Sequence, residues 1–467
     1  MSEPDANEDG GTEWVPVLEQ DGRPRYRAFF HALERDIAKG HVKPGMQLLP
    51  QREMAQRLGL SLGTISKAYE EAAEQGLISG EVGRGTFVKR RRSEPLKDHN
   101  GVAATINLAL NVPPYTGEDK AISAMLNEIV ADGEMANLLG YLPHQGLRHH
   151  REAMAIWLRS LGIDIGEEQI FITHGSQHGL SIALSLVISP GQVVLTERFT
   201  YSGMIALSAQ NEYKLHGVET DDDGLVPESL DRAFHETGAK ALFCTPTLQT
   251  PTGSVMPQSR RAAIADIVRR YDAYLLEDDA YAFLFDEPPR SISSMIPERS
   301  FYVTSFAKCL APGLRIAAMI APASFRDRFN NAIRATGWMA TPIMAEVVSR
   351  LIHNGELRHQ VELKRKKATV RNEIVSRVLS PWLPPLKAQP GFHRWLKLPA
   401  GRTLIALLAQ AAQAGITLAP PGALQQVDRT TLGVRLCLGH PSSEEELERA
   451  MHEIKRILET TEMISFI

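Results

Sequence analysis

Cysteine is scarce in this chain of 467 residues: Cys244, Cys309 and Cys437 are the three present, with no CxxC pair or Cys/His cluster. That excludes a disulfide framework and a zinc module recognisable by ligand spacing. No run approaches the roughly 18 consecutive apolar residues of a membrane-spanning helix. The first twenty residues hold six acids and no Lys or Arg, the reverse of a secretory signal peptide. Aromatic residues reach just 6%. The 43% hydrophobic and 23% charged fractions are nevertheless ordinary for a globular chain, which excludes whole-chain disorder and collagen-like repeats. A cytoplasmic protein is expected. At roughly 100–200 residues per domain, the length calls for more than one domain.

The net charge of −4 hides an asymmetry. Residues 1–20 carry about −6, residues 21–92 about +6 (14 Lys/Arg against 8 Asp/Glu), and the rest about −4. The acidic, Gly-containing start predicts a disordered lead over 1–20. Lys89-Arg90-Arg91-Arg92 and the polar stretch after it predict a linker over 89–105.

Between lead and linker the pattern predicts a winged helix over 21–88. Phe29, Phe30, Leu33 and Ile37 have helical spacing, closed by Gly40. Two short helices follow, Gln51–Leu58 and 62–75, the second with Leu62, Ile65, Tyr69 and Ala72 expected inward. Gly59 breaks the first and Ser61 is an apt N-cap for the second. Two helices around a short Gly-containing turn are the layout of a helix-turn-helix. The second helix would meet the major groove with Gly63, Thr64, Ser66 and Lys67. Short strands at 77–79 and 86–88 would frame a wing presenting Arg84.

From residue 106 onward, buried-strand patterns at 171–173, 193–196, 241–244, 274–276, 301–304 and 317–320 alternate with amphipathic helices such as 177–188 and 259–270. Such alternation predicts a mainly parallel sheet covered on both faces. Residues 106–344 are expected to form this large α/β domain and 345–467 a smaller α+β subdomain.

Ligands in such sheets bind beyond the carboxyl ends of strands. Four polar clusters fall there: His174-Gly175-Ser176-Gln177, Glu277-Asp278-Asp279-Ala280-Tyr281, Ser305-Phe306-Ala307-Lys308 with Arg315 downstream, and Arg435 inside an apolar strand pattern. Small residues before a helix suit a phosphate. Adjacent carboxylates are either solvated or hold one buried Asp for a cationic ring nitrogen. A desolvated Lys can form a Schiff base, and a cation inside a strand calls for an anion.

Two resemblances organise these signals. The string PGMQLLPQREMAQRLGLSLGTISKAYEEAAEQGLISGEVGRGTFV resembles the DNA-binding domain of the GntR family of bacterial regulators. This implies DNA contacts from Arg52, Thr64, Lys67 and Arg84, although position 62, often Arg in that family, is Leu here. The ordered series Gly-Ser-Gln, Pro-Thr-Gly, Asp-x-Ala-Tyr, Ser-x-x-Lys with a downstream Arg, and a late Arg resembles fold-type-I pyridoxal-phosphate aminotransferases. By that resemblance Lys308 binds the cofactor aldehyde as an aldimine, Asp278 keeps the ring nitrogen protonated, and Tyr281 bonds the ring hydroxyl. Tyr201 stacks on the ring, while Ser176, Gln177, Ser305 and Arg315 surround the phosphate. Tyr141 reaches the phosphate of the other subunit, implying a homodimer, and Arg435 grips an effector carboxylate. One departure stands out: Thr250 occupies the place before Pro-x-Gly where aminotransferases carry Asn.

Several other residues have plainer readings. Cys309 is expected to be buried packing, Trp157 and Trp395 core, and His149-His150 a surface pair without carboxylate partners, so no metal is expected. The combination of both halves resembles the MocR subgroup of GntR regulators. The resemblance implies a pyridoxal 5'-phosphate-dependent transcription regulator that binds operator DNA. It would sense an amino acid or related amino-carboxylate through external aldimine formation. The alternative is a working aminotransferase with an accessory DNA-binding domain.

Overall fold

The structure is a computed structural model that describes residues 14–18, 24–38, 41–42, 45–74, 77–81, 85–88, 105–386, 390–420 and 433–460. Arg84 and most of the expected linker lie outside the described residues. The chain forms two compact units, Met1–Gly101 and Val102–Ile467.

In the first unit, helices Arg25–Ala38, Gln51–Leu58 and Leu62–Glu74 accompany a three-stranded antiparallel sheet. Its central strand Gly85–Val88 pairs with Ile78–Glu81 and with Gln47–Leu48. Phe29, Leu33, Met54, Ile65, Tyr69 and Ala72 share one buried cluster, and the Tyr69 hydroxyl donates to the Leu49 carbonyl at 2.7 Å. Gly59 ends the second helix at φ 63°, a left-handed position that suits glycine. Ser61 caps the third helix, its Oγ accepting from the Thr64 N–H at 3.2 Å.

Two expectations need correction in this unit. Leu62 points outward at 43% exposure, because it sits in the first helical turn before the buried stripe begins. Part of the acidic lead is packed: Trp14 Nε1 donates to Asp36 at 3.0 Å, and its ring meets Phe29 edge-on at 5.8 Å.

The second unit is built on a seven-stranded sheet. In spatial order the strands are Ile170–Thr173, Ala317–Ile320, Ser300–Ser305, Tyr274–Asp278, Ala241–Cys244, Val193–Glu197 and Lys214–Val218. Ala317–Ile320 runs antiparallel to both neighbours, and the other pairings are parallel. The period-2 alternation sends Phe171, Phe301, Val303 and Met319 to one cluster, and Ile172, Tyr302 and Ala318 to another. Both faces are thus covered. A smaller lobe pairs His393–Lys397 with Gly433–Cys437 and buries Leu396, Leu407, Val434, Leu436, Leu447 and Ile454.

The lobe boundary is not the expected cut at 344/345. Ile106–Asn107, at the start of the unit, pairs in parallel with Ile416–Thr417 of the small lobe. Conversely, Ala345, Val347, Val348 and Leu351 of helix Pro342–His353 pack into a large-lobe cluster. The 24-residue helix Glu356–Leu379 spans both, with Leu357 and Val361 in the large-lobe core and Val375 and Val378 in the small.

Candidate cofactor site

The carboxyl ends of the parallel strands open into a cavity of about 550 Å³, lined by Asn111, Ser176, Tyr201, Asp278, Lys308 and Arg435 among others. Ser176, Gln177, Tyr201, Asp278, Tyr281, Ser305, Lys308, Arg315 and Arg435, predicted from widely separated motifs, all line it. Lys308 follows the Ser300–Ser305 strand in the short helix Phe306–Cys309, and its Nζ donates to the Asn111 carbonyl. Burial draws its ammonium pKa down to about 8, with Arg435 adding to the effect against Cys437 and Asp278.

Three consecutive carboxylates leave the Tyr274–Asp278 strand, and their partners separate them. Glu277 accepts from Ser293 N and Oγ at 2.7 and 2.6 Å. Asp279 accepts from the Ala282 N–H at 3.0 Å and the Tyr302 hydroxyl at 3.2 Å. Asp278 alone of the three lines the cavity, and its buried Oδ1 has no partner among the described residues. Burial, then the neighbouring Asp279, lifts its pKa from 3.8 to about 7, while Lys308 opposes the rise.

An anion cradle closes one end. Gly175, at φ 77°, begins helix Ser176–Val187, so that unpaired helix N–H groups and the Ser176 hydroxyl border the cavity. Arg315 lies against this turn, its Nη2 donating to the His174 carbonyl at 3.2 Å. A Cβ on Gly175 would meet that Nη2 at 2.6 Å. Gln177 Nε2 donates to the Gly203 carbonyl at 2.8 Å, which ties the cradle to the start of helix Ser202–Gln210, capped by Tyr201. Ser305 is buried at the end of its strand.

Also lining the cavity, half-buried Arg435 donates to the Ala109 carbonyl at 3.1 Å and has no carboxylate partner among the described residues. Thr250 is buried in the cavity wall. Tyr141 does not line the cavity of its own chain; it is 85% exposed and packs on Trp338 at 5.2 Å. Asn111 is a cavity residue that the motifs did not reveal. Its one sequence signal is a polar side chain directly after the short strand Ile106–Asn107 and its turn.

In the first unit Arg52 and Lys67 are exposed and Thr64 is half-buried. The Thr64 hydroxyl lies 2.8 Å from Ser61 Oγ, and the Lys67 ammonium sits 4.3 Å over the Tyr26 ring. The histidine pair needs correction. His150 is 1% exposed, and His149 and His150 both donate through Nε2 to Glu346 at 2.9 and 2.8 Å. The carboxylate partner lies 196 residues from His150, beyond the reach of local spacing. Cys309, Trp157 and Trp395 are buried as expected.

Residues 103–454 match the family described as aminotransferase class I and II, and residues 25–88 match bacterial regulatory proteins, gntR family. The chain is 26% identical over 455 residues to an uncharacterized HTH-type transcriptional regulator, YdeF, of Bacillus subtilis, covering 96% of this chain and 97% of that one. It is also 26% identical over 400 residues to the probable rhizopine catabolism regulatory protein MocR of Rhizobium meliloti, covering 79% and 80%. Among solved structures, a Pyrococcus horikoshii kynurenine aminotransferase is similar with TM-score 0.69 and 25% identity, covering 76% of this chain and 91% of that one.

Proposed function

The chain belongs to the aminotransferase class I and II family, and from that premise, joined to its gntR-family segment, we propose a transcription regulator that binds operator DNA and senses an amino-group-containing effector with pyridoxal 5'-phosphate. The observation that carries this reading is the orphaned oxygen of Asp278 in a cavity shared with Lys308. A buried carboxylate without a partner calls for a cation or a proton, and the protonated ring nitrogen of the cofactor is suited to it. When bound, the cofactor supplies an aldehyde that condenses with primary amines.

The chain's own residues supply the rest. Burial lowers the Lys308 ammonium pKa to about 8, which brings its free amine closer to neutral pH and favours it as a nucleophile. Ser176, Gln177, Ser305 and Arg315 would hold the phosphate, Tyr201 would cover the ring, and Tyr281 would bond its hydroxyl. Arg435 would bind an effector carboxylate. In a homodimer, Tyr141 of one subunit would complete the phosphate site of the other, a role that its exposure supports. Arg52, Thr64, Lys67 and Arg84 would contact DNA. Regulation requires that the effector bind one arrangement of the lobes better than another.

Spectral titration of the cofactor-loaded protein with a panel of amino compounds tests the reading. Wild-type protein should change its visible spectrum with particular amino acids and change its operator affinity with the same ones. Lys308→Ala should lose both responses while retaining DNA binding. Unchanged regulation in that variant sinks the sensing reading. The intact lysine, carboxylate and cradle also favour a second reading as a working aminotransferase, and sustained conversion of an amino acid with a keto acid would establish it.

A further inference from the structure

Tyr281 is 3% exposed and raised in pKa by burial, so its phenol stays protonated. Its hydroxyl oxygen is met by the Asn111 side-chain amide, whose Nδ2 donates at 2.7 Å across 170 residues of sequence. A phenol oxygen that accepts from an amide keeps its own O–H free to donate elsewhere. Asn111 is itself only partly used: its Oδ1 is buried with no partner among the described residues. It lines the same cavity as Tyr281, Asp278, Lys308 and Thr250. Thr250 carries no carboxamide, and its hydrogen bonds are backbone ones: its N–H donates to Thr245 Oγ1 at 3.4 Å and its carbonyl accepts from Gln249 Nε2 at 2.9 Å.

The position of Asn111 is well supported. Asn107 Oδ1 accepts from the N–H groups of Ala109 and Leu110 at 2.9 and 3.0 Å, which fixes the turn leading to it. The Ala109 carbonyl takes Arg435 at 3.1 Å, and the Cys437 N–H donates to the Leu108 carbonyl at 2.9 Å. The segment is therefore anchored to the small-lobe strand Gly433–Cys437, while Tyr281 belongs to the large lobe.

We propose that Asn111 is the positioning residue for the Tyr281 hydroxyl and supplies, from the small lobe, the carboxamide that position 250 lacks. It acts through Tyr281 on the cofactor's ring oxygen. The inference rests on the cofactor reading above, with Tyr281 donating to that oxygen. Weakening this donation leaves more negative charge on the oxygen and holds the neighbouring chromophore proton more tightly.

The test is the pH dependence of visible absorbance in full-length protein loaded with pyridoxal phosphate. In Asn111→Ala the midpoint should rise by about one unit, the shift that matches a neutral hydrogen bond. Thr250→Asn in that background should bring the midpoint back, while moving it less in the wild-type background. Asn111→Asp keeps the side chain's shape but removes the donor, so its midpoint should rise as well. A merely structural residue would alter cofactor retention without moving the midpoint or responding to Thr250→Asn. Midpoints unmoved in both Asn111 variants, or no recovery with Thr250→Asn, overturn the proposal. Wild-type protein that gains no visible absorbance with added cofactor overturns the cofactor reading and this inference with it.

Discussion

Replacing Asp278 with Asn should stabilise the cofactor-free protein while weakening its hold on the cofactor. Burial and the adjacent Asp279 raise the Asp278 pKa from 3.8 to about 7. A carboxyl that binds its proton more tightly when folded makes stability fall as pH rises between those two values. The window spans about three units at about 1.4 kcal/mol each, so the full penalty above pH 7 is roughly 4 kcal/mol as a ceiling. Asn carries no charge to desolvate and escapes this cost. Urea unfolding of cofactor-free protein, followed by tryptophan fluorescence, should show the variant more stable than wild type at pH 8. The advantage should shrink by more than half at pH 5, where wild-type Asp278 is mostly protonated. Absorbance titration with pyridoxal phosphate should show affinity lower by about 10- to 100-fold, the worth of a charge-assisted hydrogen bond. A variant no more stable than wild type at pH 8, or one that binds cofactor equally well, refutes the reasoning.

Three further substitutions probe other parts of the molecule. Gly175→Ala puts a Cβ 2.6 Å from the Arg315 guanidinium at a position with φ 77°; cofactor affinity should fall about tenfold by titration, with roughly 1 kcal/mol lost in stability. Gly439→Ala places a Cβ 1.8 Å from the Val112 carbonyl oxygen, where backbone must move, and should cost roughly 3 kcal/mol in denaturant unfolding. Lys67→Ala should weaken operator binding and reduce the slope of log affinity against log salt by about one, leaving the cofactor spectrum unchanged.

The strands that hold the site were legible because they are buried on both faces and read as short apolar runs. Phe171, Ala241–Cys244 and Phe301 are of this kind. The edge strand Lys214–Val218 is largely outside the core, so its run is broken by Lys214, His216 and Gly217 and gave no such signal. Strands of two residues, Gln47–Leu48 and Ile106–Asn107, are too short to carry a period. The motif residues around Lys308 could be listed in order, but not their differences in environment. Which of Glu277, Asp278 and Asp279 lacks partners depends on Ser293, Ala282 and Tyr302. Asn111 was invisible for the same reason: its meaning comes from Tyr281, far along the chain. The exposed Leu62 shows the opposite failure, an apolar residue assigned to a core it precedes.

The stitch between Ile106–Asn107 and Ile416–Thr417 has a mechanical reading. Among the described residues, the second unit begins with a stretch fastened to its small lobe, a few residues before Asn111 and the cavity. Residues 106 and 107 would therefore follow that lobe in any displacement of it against the seven-stranded sheet. The anchorage yokes the start of this unit to the lobe that carries Arg435, while Asn111 just beyond it meets Tyr281 of the large lobe.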